Sequence, residues 1–458
     1  MRCPKCFVET PPAQQEPRFR VAEGILIVES HCPSCHTFLE RLPVSEHAET
    51  WILDHPDKPT PAWLAYDIPY VGKFQPICNA TSALKVLETH PAFITTLWFD
   101  VFSHRLWTSW ETEARPWRDA DTSRLLIFLQ RNIGLQKIVR THVEDALAVF
   151  VETHHRHQVR DWIKTLTWDE TPRIEGFLTR LLGAPDSPYI LAASRNFWLS
   201  MMARVYHPGS QADHMLVLEG PQGQGKTSAL RLLGQSWYLS VSESVMHKDF
   251  FQALPGHLIV EIAELDSFRR AELTRIKQVI STPSDHYRAA YGRVPQTYHR
   301  QCIFVGTTNE EKYLRDMTGA RRFWPIPCGT IDLPAIKAHR DQLFAEASTV
   351  FTRGVSWWNM PSQTIEEQES RREVDAWESP IAEYLLLKEE VTLKDVLCDA
   401  ALVPLGQVDA VDQRRAGAIL RRLGWKSKTV KRGDAVQWRW CAPAREAGEP
   451  LHTGDFEA

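Results

Sequence analysis

The chain has 458 residues, of which 43% are hydrophobic and 24% are charged, and its formal net charge at pH 7 is −4. This length allows two to four domains with their own cores, and the composition is typical of a soluble globular protein. The charge excludes nucleic-acid binding through overall basicity, so such binding must come from local patches. No apolar run reaches about 18 residues, which excludes a membrane-spanning helix.

Two CxxC pairs lie within the first 35 residues, and their members are Cys3, Cys6, Cys32 and Cys35. Four thiolates in two pairs match a tetrahedral zinc site, and the apolar run 24–28 between them predicts one strand of a zinc ribbon over residues 1–45. A redox CxxC is the alternative. So small a domain needs its metal for stability, so the zinc is expected to be structural.

The other five of the nine cysteines are scattered along the chain, which favours a reducing compartment over a disulfide framework. The first residues, Arg2 to Cys6, lack the apolar core of a signal peptide. We therefore expect a cytoplasmic protein.

Residues 46–155 are predicted to form a mixed or helical middle region, which begins with a Pro-rich linker. The apolar spacing predicts helices and one hairpin, at 81–87, 97–107, 121–130 and 143–151. The run His154 to His157 is interpreted as a solvated helix end, because no carboxylate or cysteine lies at metal-binding spacing. No convincing acidic triad indicates a primase site here.

The segment Gly220 to Thr227 reads GPQGQGKT and matches the phosphate-binding pattern GxxxxGKT. An apolar run at 215–218 predicts a strand before it, and 228–233 predicts a helix after it. Strand, Gly-rich turn and helix direct backbone N–H groups at phosphate, although a structural Gly-rich turn is the alternative. Lys226 is expected to neutralise phosphate oxygens and Thr227 to ligate Mg²⁺. The predicted ATP- and phosphate-binding residues are Gly220, Gly223, Gln224, Gly225, Lys226, Thr227 and Ser228.

Two further strands are predicted to end in polar side chains beside this loop. The apolar run 256–264 contains Glu261, expected to hold Mg²⁺ through water, and Glu264, expected to polarise the attacking water. The alternative is that these acids only cap a strand. The run 302–309 ends in Asn309, which in multi-stranded P-loop ATPases lies between the two Walker elements and senses the γ-phosphate.

Basic residues mark two more elements of the same region. Arg321 and Arg322 are candidates for the arginine that reaches the γ-phosphate of a neighbouring subunit. Arg288, Tyr291 and Arg293 interleave charge and aromatic rings in a predicted hairpin, which suits stacking and phosphate contacts to single-stranded DNA. A surface loop with packed aromatic rings is the alternative.

The order helix, helix, hairpin over residues 380–442 predicts a winged helix, followed by a flexible tail at 443–458. From Arg414 to Arg439 there are nine basic residues and one acid, a local net charge of +8. This charge favours duplex DNA, with a protein-binding winged helix as the alternative. The predicted contacts are Arg414, Arg415, Arg421, Arg422, Lys426 and Lys428.

The motifs GPQGQGKT, HLIVEIAELDSFRRAELTRIKQVIS, DHYRAAYGR, RQCIFVGTTN and YLRDMTGARRFWPI, in this order, resemble the virulence-associated E (VapE-like) family. These are P-loop proteins of phages, plasmids and genomic islands, related to superfamily-three helicases of the AAA+ group. The resemblance runs from about 160 to 350. It implies that Lys226 and Thr227 are the Walker A pair, Glu261 and Glu264 the Walker B acids, Asn309 the sensor and Arg321 or Arg322 the finger, with Asp266 as a further acid.

The fold class expected from these observations is multidomain α/β, with a P-loop AAA+-like ATPase core, an N-terminal zinc ribbon and a C-terminal winged helix. The predicted ATPase domain spans residues 156–355, and the resemblance implies an ATP-hydrolysing DNA replication protein, a helicase acting as a homo-hexameric ring in a bacterial host cell. Its expected cofactors are ATP, Mg²⁺ and Zn²⁺. Its expected partners are single-stranded or forked DNA, duplex DNA and host replication proteins.

Two other functions stay open on the sequence. An initiator or helicase loader uses ATP only to switch its assembly, and an interference protein binds a phage or host protein in a nucleotide-gated way without unwinding DNA.

Overall fold

The structure is a computed structural model that describes residues 16–22, 25–31, 38–42, 61–66, 68–71, 75–241, 248–265, 270–288, 294–310, 312–314, 320–372, 375–432 and 435–443. The chain divides into two compact units, a larger one of residues 1–311 and 321–367 and a smaller one of residues 312–320 and 368–458. The architecture is mixed α/β with a parallel sheet, which confirms the fold class at this level. Among the described helices, none combines the length and apolarity needed to span a bilayer.

An antiparallel sheet lies near the N-terminus, with the strands β1 (Glu16–Ala22), β2 (Ile25–His31) and β3 (Phe38–Leu42) in that order. The strand predicted from the apolar run at 24–28 is thus confirmed from Ile25 onward. Its Val28 pairs with Phe19 on one side and Leu42 on the other. Cys3, Cys6, Cys32 and Cys35 lie outside the described residues, so the zinc ribbon stays a prediction.

The middle region is a small α/β layer with its own hydrophobic core. Its four-stranded sheet has the order β8-β7-β6-β9 and a two-stranded ribbon, β4-β5, precedes it. The strands are β4 (Tyr70–Val71), β5 (Gln75–Pro76), β6 (Leu97–Asp100), β7 (Arg105–Thr108), β8 (Arg115–Pro116) and β9 (His155–Arg156). The helices are α1 (Ala80–Thr89), α2 (Pro91–Ile94), α3 (Asp119–Phe128) and α4 (Arg140–Phe150). The predicted hairpin and helices of this region are confirmed.

The interpretation of His154 to His157 as a solvated helix end is wrong. His155 and Arg156 form β9, which pairs in parallel with β6. His157 is buried, and its Nε2 lies 2.9 Å from Oε1 of Gln301. Burial lowers the pKa of His157. The strands β6 and β9 are more than fifty residues apart in the sequence, and their pairing makes this polar run part of a sheet.

A five-stranded parallel sheet forms the centre of the larger unit, with the order β11-β12-β15-β10-β16. Its strands are β10 (Met215–Glu219), β11 (Tyr238–Val241), β12 (Ile259–Ile262), β15 (Ile303–Thr308) and β16 (Phe323–Pro327), and a separate antiparallel hairpin is formed by β13 (Ser284–Tyr287) and β14 (Gln296–His299). All residues of β10, β12 and β15 are buried, as expected for parallel strands covered on both faces. Because β15 lies between β10 and β12, the ends of these three strands meet at one edge.

Helices cover both faces of this sheet. They are α5 (Gln158–Lys164), α6 (Phe177–Leu182), α7 (Pro188–Tyr206), α8 (Lys226–Gly234), α9 (Lys248–Ala253), α10 (Arg270–Ser281) and α11 (Leu333–Thr352). Trp198 of α7 and Phe344 of α11 are fully buried, and their rings meet edge to face at 5.2 Å. The strands predicted at 215–218, 256–264 and 302–309 and the helix predicted at 228–233 are confirmed.

The smaller unit contains helices and a three-stranded antiparallel sheet of order β17-β19-β18. After α12 (Gln363–Ser370), which crosses the division between the units, its elements are α13 (Glu378–Leu385), β17 (Glu390–Val391), α14 (Leu393–Asp395), α15 (Ala410–Arg422), β18 (Lys426–Arg432) and β19 (Ala435–Cys441). Its core includes Ile381, Val396, Leu420 and Trp425. The predicted hairpin and the helix before it are confirmed.

Candidate functional site

The loop between β10 and α8 has a backbone that its glycines make possible. Gly220, Gly223 and Gly225 have φ angles of 143°, 81° and 97°, a region that residues with a Cβ rarely adopt. The helix α8 then begins at Lys226. The loop therefore wraps around a space at the helix N-terminus, as the pattern of glycines predicts.

The side chain of Lys226 points into the same loop. Only 7% of this residue is exposed, and its Nζ donates hydrogen bonds to the carbonyl oxygens of Gly220 and Pro221 and to Oδ1 of Asn309, the last over 3.2 Å. The ammonium group is thus held between the loop and the end of β15. Carbonyl and amide oxygens can be exchanged for phosphate oxygens, which are stronger acceptors for a cation.

Glu261 of β12 has a fully buried carboxylate. Its Oε1 accepts hydrogen bonds from Oγ1 of Thr227 at 2.7 Å and from Oγ1 of Thr307 at 2.9 Å, and its Oε2 accepts one from the Tyr238 hydroxyl. A buried carboxylate is costly unless it is hydrogen-bonded, and these three hydroxyl groups offset that cost. Burial, with the hydrogen bond to Glu261, raises the pKa of Tyr238 to about 12, so its hydroxyl stays a donor.

Lys226, Thr227 and Thr307 border a cavity of about 290 Å³. It combines a cation, a helix N-terminus, hydroxyl oxygens and a carboxylate, which are the groups that hold a phosphate chain together with a divalent cation. Glu264 is exposed at its wall and has a φ of 53°, an uncommon value for a glutamate. The lining residues are Gln222, Gly223, Gln224, Gly225, Lys226, Thr227, Ser228, Ala263, Glu264, Thr307, Thr308 and Asn309.

The side chain of Gln224 is engaged within the fold. Its Nε2 donates to the carbonyl oxygens of Cys328, at 2.8 Å, and Gly329. The amide therefore ties the loop to the segment after β16, and Gln224 also lines the cavity.

The two candidate finger arginines differ in their surroundings. Arg322 is half-buried, and its Nε donates to Oγ of Ser281 at the end of α10. Arg321 is exposed. Neither is among the residues that line the cavity, and the finger role stays a prediction. Asp266, the further acid, lies outside the described residues.

The β13–β14 hairpin is fixed at its base by a buried ion pair between Asp285 and Arg300. The rings of Tyr287 and Tyr298 stack at 4.3 Å, as the alternative reading of packed aromatic residues expects. Arg288, just after β13, is exposed. The other two predicted DNA contacts, Tyr291 and Arg293, lie outside the described residues.

The predicted DNA contacts of the smaller unit fall into two groups. Arg415 and Arg422 form ion pairs with Asp375, at 2.8 Å, and with Glu378. The remaining four are exposed, and they are Arg414, Arg421, Lys426 and Lys428.

Two side chains that donate to Glu261, those of Tyr238 and Thr307, were not predicted from the sequence. Thr307 lies two residues before Asn309, so the alternation of side chains along a strand could have indicated it. Tyr238 reaches Glu261 from the neighbouring strand β11. Nothing local in the sequence signals that contact.

Part of this chain matches the model of a known family. Residues 163–376 match the model of the virulence-associated protein E-like domain, which confirms the family resemblance drawn from the motifs. No curated protein matches the chain.

The solved structures similar to the chain include three of the NrS-1 C-terminal region. An A-form apo structure of its residues 305–718 is 14% identical, with a TM-score of 0.48, and the match covers 80% of this chain and 100% of that one. A second apo structure is 14% identical and a further A-form apo structure is 13% identical, each with a TM-score of 0.43 over 76% of this chain and 96% of that one.

Proposed function

We propose that the protein is an ATP-hydrolysing DNA replication protein of a phage or mobile element. The match of residues 163–376 to the virulence-associated protein E-like domain supports this proposal. In this proposal the parallel sheet is a P-loop AAA+-like core that works as a DNA helicase in a homo-hexameric ring. The domain boundaries are those of the predicted zinc ribbon, middle region, ATPase and winged helix.

The observation that carries the proposal is the arrangement around Lys226. Its ammonium group is held at the mouth of a glycine loop, beside Thr227, whose hydroxyl bonds the buried carboxylate of Glu261. The strand that ends in Asn309 lies between the strands of the loop and of Glu261. A binding site for a nucleoside triphosphate needs these groups together at one sheet edge.

The oxygen donors at this edge fit Mg²⁺, which prefers hard oxygen ligands. Thr227 would hold it directly and Glu261 through water. When bound, Mg²⁺ neutralises charge that develops on the phosphate oxygens.

The remaining roles follow from exposure and position. Lys226 binds the β- and γ-phosphate oxygens of ATP, and Glu264, exposed at the cavity wall, orients the attacking water. Asn309 contacts both this water and Lys226, so it senses the γ-phosphate. Arg321 is the finger that reaches the neighbouring subunit, because Arg322 is engaged with Ser281.

DNA is the proposed partner, with host replication proteins as further ones. Arg288, Tyr291 and Arg293 of the hairpin contact single-stranded or forked DNA, and the basic face of the winged helix contacts duplex DNA. Structural zinc is held by Cys3, Cys6, Cys32 and Cys35. The proposed location is the bacterial cytoplasm.

The test is steady-state ATP hydrolysis by the full chain without DNA, with single-stranded DNA and with a forked duplex. We expect DNA to stimulate turnover and Lys226→Ala to abolish it under all three conditions. Lys312→Ala, a lysine at an exposed position, is the matched control and should retain turnover. Turnover that persists in Lys226→Ala would refute the proposed site, and turnover that ignores DNA would favour the initiator or loader.

A further inference from the structure

Trp438 is exposed to an extent unusual for a tryptophan. It lies on β19 opposite Thr429 of β18, and 72% of the residue is accessible to solvent. Trp440 lies on the same face of the sheet, since side chains alternate along a strand. Trp440 packs against α15, where a Cβ at Gly417 would lie 3.5 Å from its ring. The sheet is therefore joined to the helix through Trp440, and Trp438 extends the same face toward solvent.

The arginines of α15 separate into two stripes, each with a spacing of seven residues that returns to the same side of a helix. Arg415 and Arg422 are ion-paired with Asp375 and Glu378. The other stripe consists of Arg414 and Arg421.

Within the part of the chain that the structure describes, the hydrogen bonds of this second stripe go to backbone carbonyl oxygens rather than to acids. Nε of Arg414 donates to the carbonyl oxygen of Ala410, and Nε of Arg421 donates to that of Gly417. The guanidinium carbon of Arg421 lies 5.8 Å from the centre of the Trp440 ring. Positive charge thus borders the sheet face that carries Trp438. We call Arg414, Arg421 and Trp438 the wing surface.

We propose that the wing surface binds DNA at a junction between duplex and single strand, with the Trp438 ring stacked on an unpaired or terminal base. This rests on the proposed DNA partner and names the DNA structure that is recognised. Charge complementarity selects the partner, because phosphates match the positive charge of Arg414 and Arg421, which no acid among the described residues pairs. The exposed ring selects the junction, because stacking needs a free base face and an uninterrupted duplex covers its base faces with neighbouring pairs.

The experiment is fluorescence anisotropy with the full chain and no nucleotide, on two labelled DNA probes of equal charge. One is a duplex closed by loops at both ends through linkers without bases, and the other is a forked duplex. We expect the wild-type protein to prefer the fork. Trp438→Ala should weaken fork binding roughly tenfold or more, the scale of one lost stacking contact, and change closed-duplex binding less than twofold.

Two further variants separate stacking from charge. Trp438→Phe keeps an aromatic face and should retain most of the fork preference. Arg414→Ala combined with Arg421→Ala should weaken binding to both probes and lower the salt dependence of the affinity by about two counterions. Trp358→Ala, at a tryptophan of the larger unit that is 59% exposed, is the control and should change neither affinity.

A wild-type protein without a fork preference would overturn the proposal, as would a Trp438→Ala variant that affects both probes equally or neither. Because Trp438 is exposed, its variants should keep the thermal unfolding midpoint of the wild type. The assay contains no ATP, so a failed ATPase proposal and a failed junction proposal give separate results.

Discussion

The Tyr238 hydroxyl donates a hydrogen bond to Oε2 of Glu261. The substitution Tyr238→Phe removes this hydroxyl and keeps the aromatic ring. A hydrogen bond to a charged group contributes about 1.5–3 kcal/mol, and a buried acceptor left without a donor lies in the upper part of that range. Glu261 is 0% exposed, so water does not replace the lost donor. We expect the free energy of unfolding to fall by about 2–3 kcal/mol.

The measurement is the thermal midpoint of the larger unit by differential scanning calorimetry, with Tyr206→Phe as a matched control. The Tyr206 hydroxyl lies 2.8 Å from Oγ of Ser348, a neutral partner, so its loss should cost about 0.5–1.5 kcal/mol. Equal shifts for the two variants would refute the reasoning about the buried carboxylate. If Mg²⁺ is held at Thr227, Tyr238→Phe should also raise the Mg²⁺ concentration for half-maximal ATP turnover.

Two further predictions concern the arginine pair and pH. Arg321→Ala should abolish most ATP turnover at an unchanged thermal midpoint, whereas Arg322→Ala should lower the midpoint through the lost bond to Ser281; the opposite pattern in turnover and calorimetry would make Arg322 the finger. Burial lowers the pKa of His90 to about 4 in the native state. In the unfolded chain this histidine binds a proton below about pH 6.5, so the free energy of unfolding should fall by about 2 kcal/mol by pH 5. The substitution His90→Asn keeps an acceptor for the Ala92 N–H but does not titrate in this range. The thermal midpoint of this variant should therefore fall less than that of the wild type between pH 7 and pH 5, and an equal fall in both proteins would show that His90 is not the cause.

Local chemistry made several elements predictable. The apolar runs that became β10, β12 and β15 are buried on both faces, so they lack the alternation of a half-exposed strand and read as continuous hydrophobic segments. The glycines of the loop are required by φ angles that other residues rarely adopt. Loop, acid and amide could therefore be assigned to one sheet edge from sequence.

Other helices and strands could not be predicted, because their local sequences lack a clear pattern of polar and apolar residues. The helix α7 is buried over most of its length, so it has no polar face and no clear helical period. The edge strand β16 contains Pro325, a residue that argues against a central strand but is tolerated at a sheet edge. The run at His155 became a strand only because a distant partner, β6, pairs with it.

The sequence by itself determined the glycine loop, its flanking strand and helix, the acids and amide expected beside it, and the family resemblance, because each of these depends on consecutive residues. Only the tertiary structure decided which side chains complete the site and which are held in contacts that stabilise the fold. Tyr238 and Thr307 donate to Glu261 from two neighbouring strands. Arg415 and Arg422 are held by acids, whereas Nε of Arg414 donates to the carbonyl oxygen of Ala410. The physical reason is that hydrogen-bond and ion-pair partners depend on strand order and helix packing, which join residues far apart in the chain.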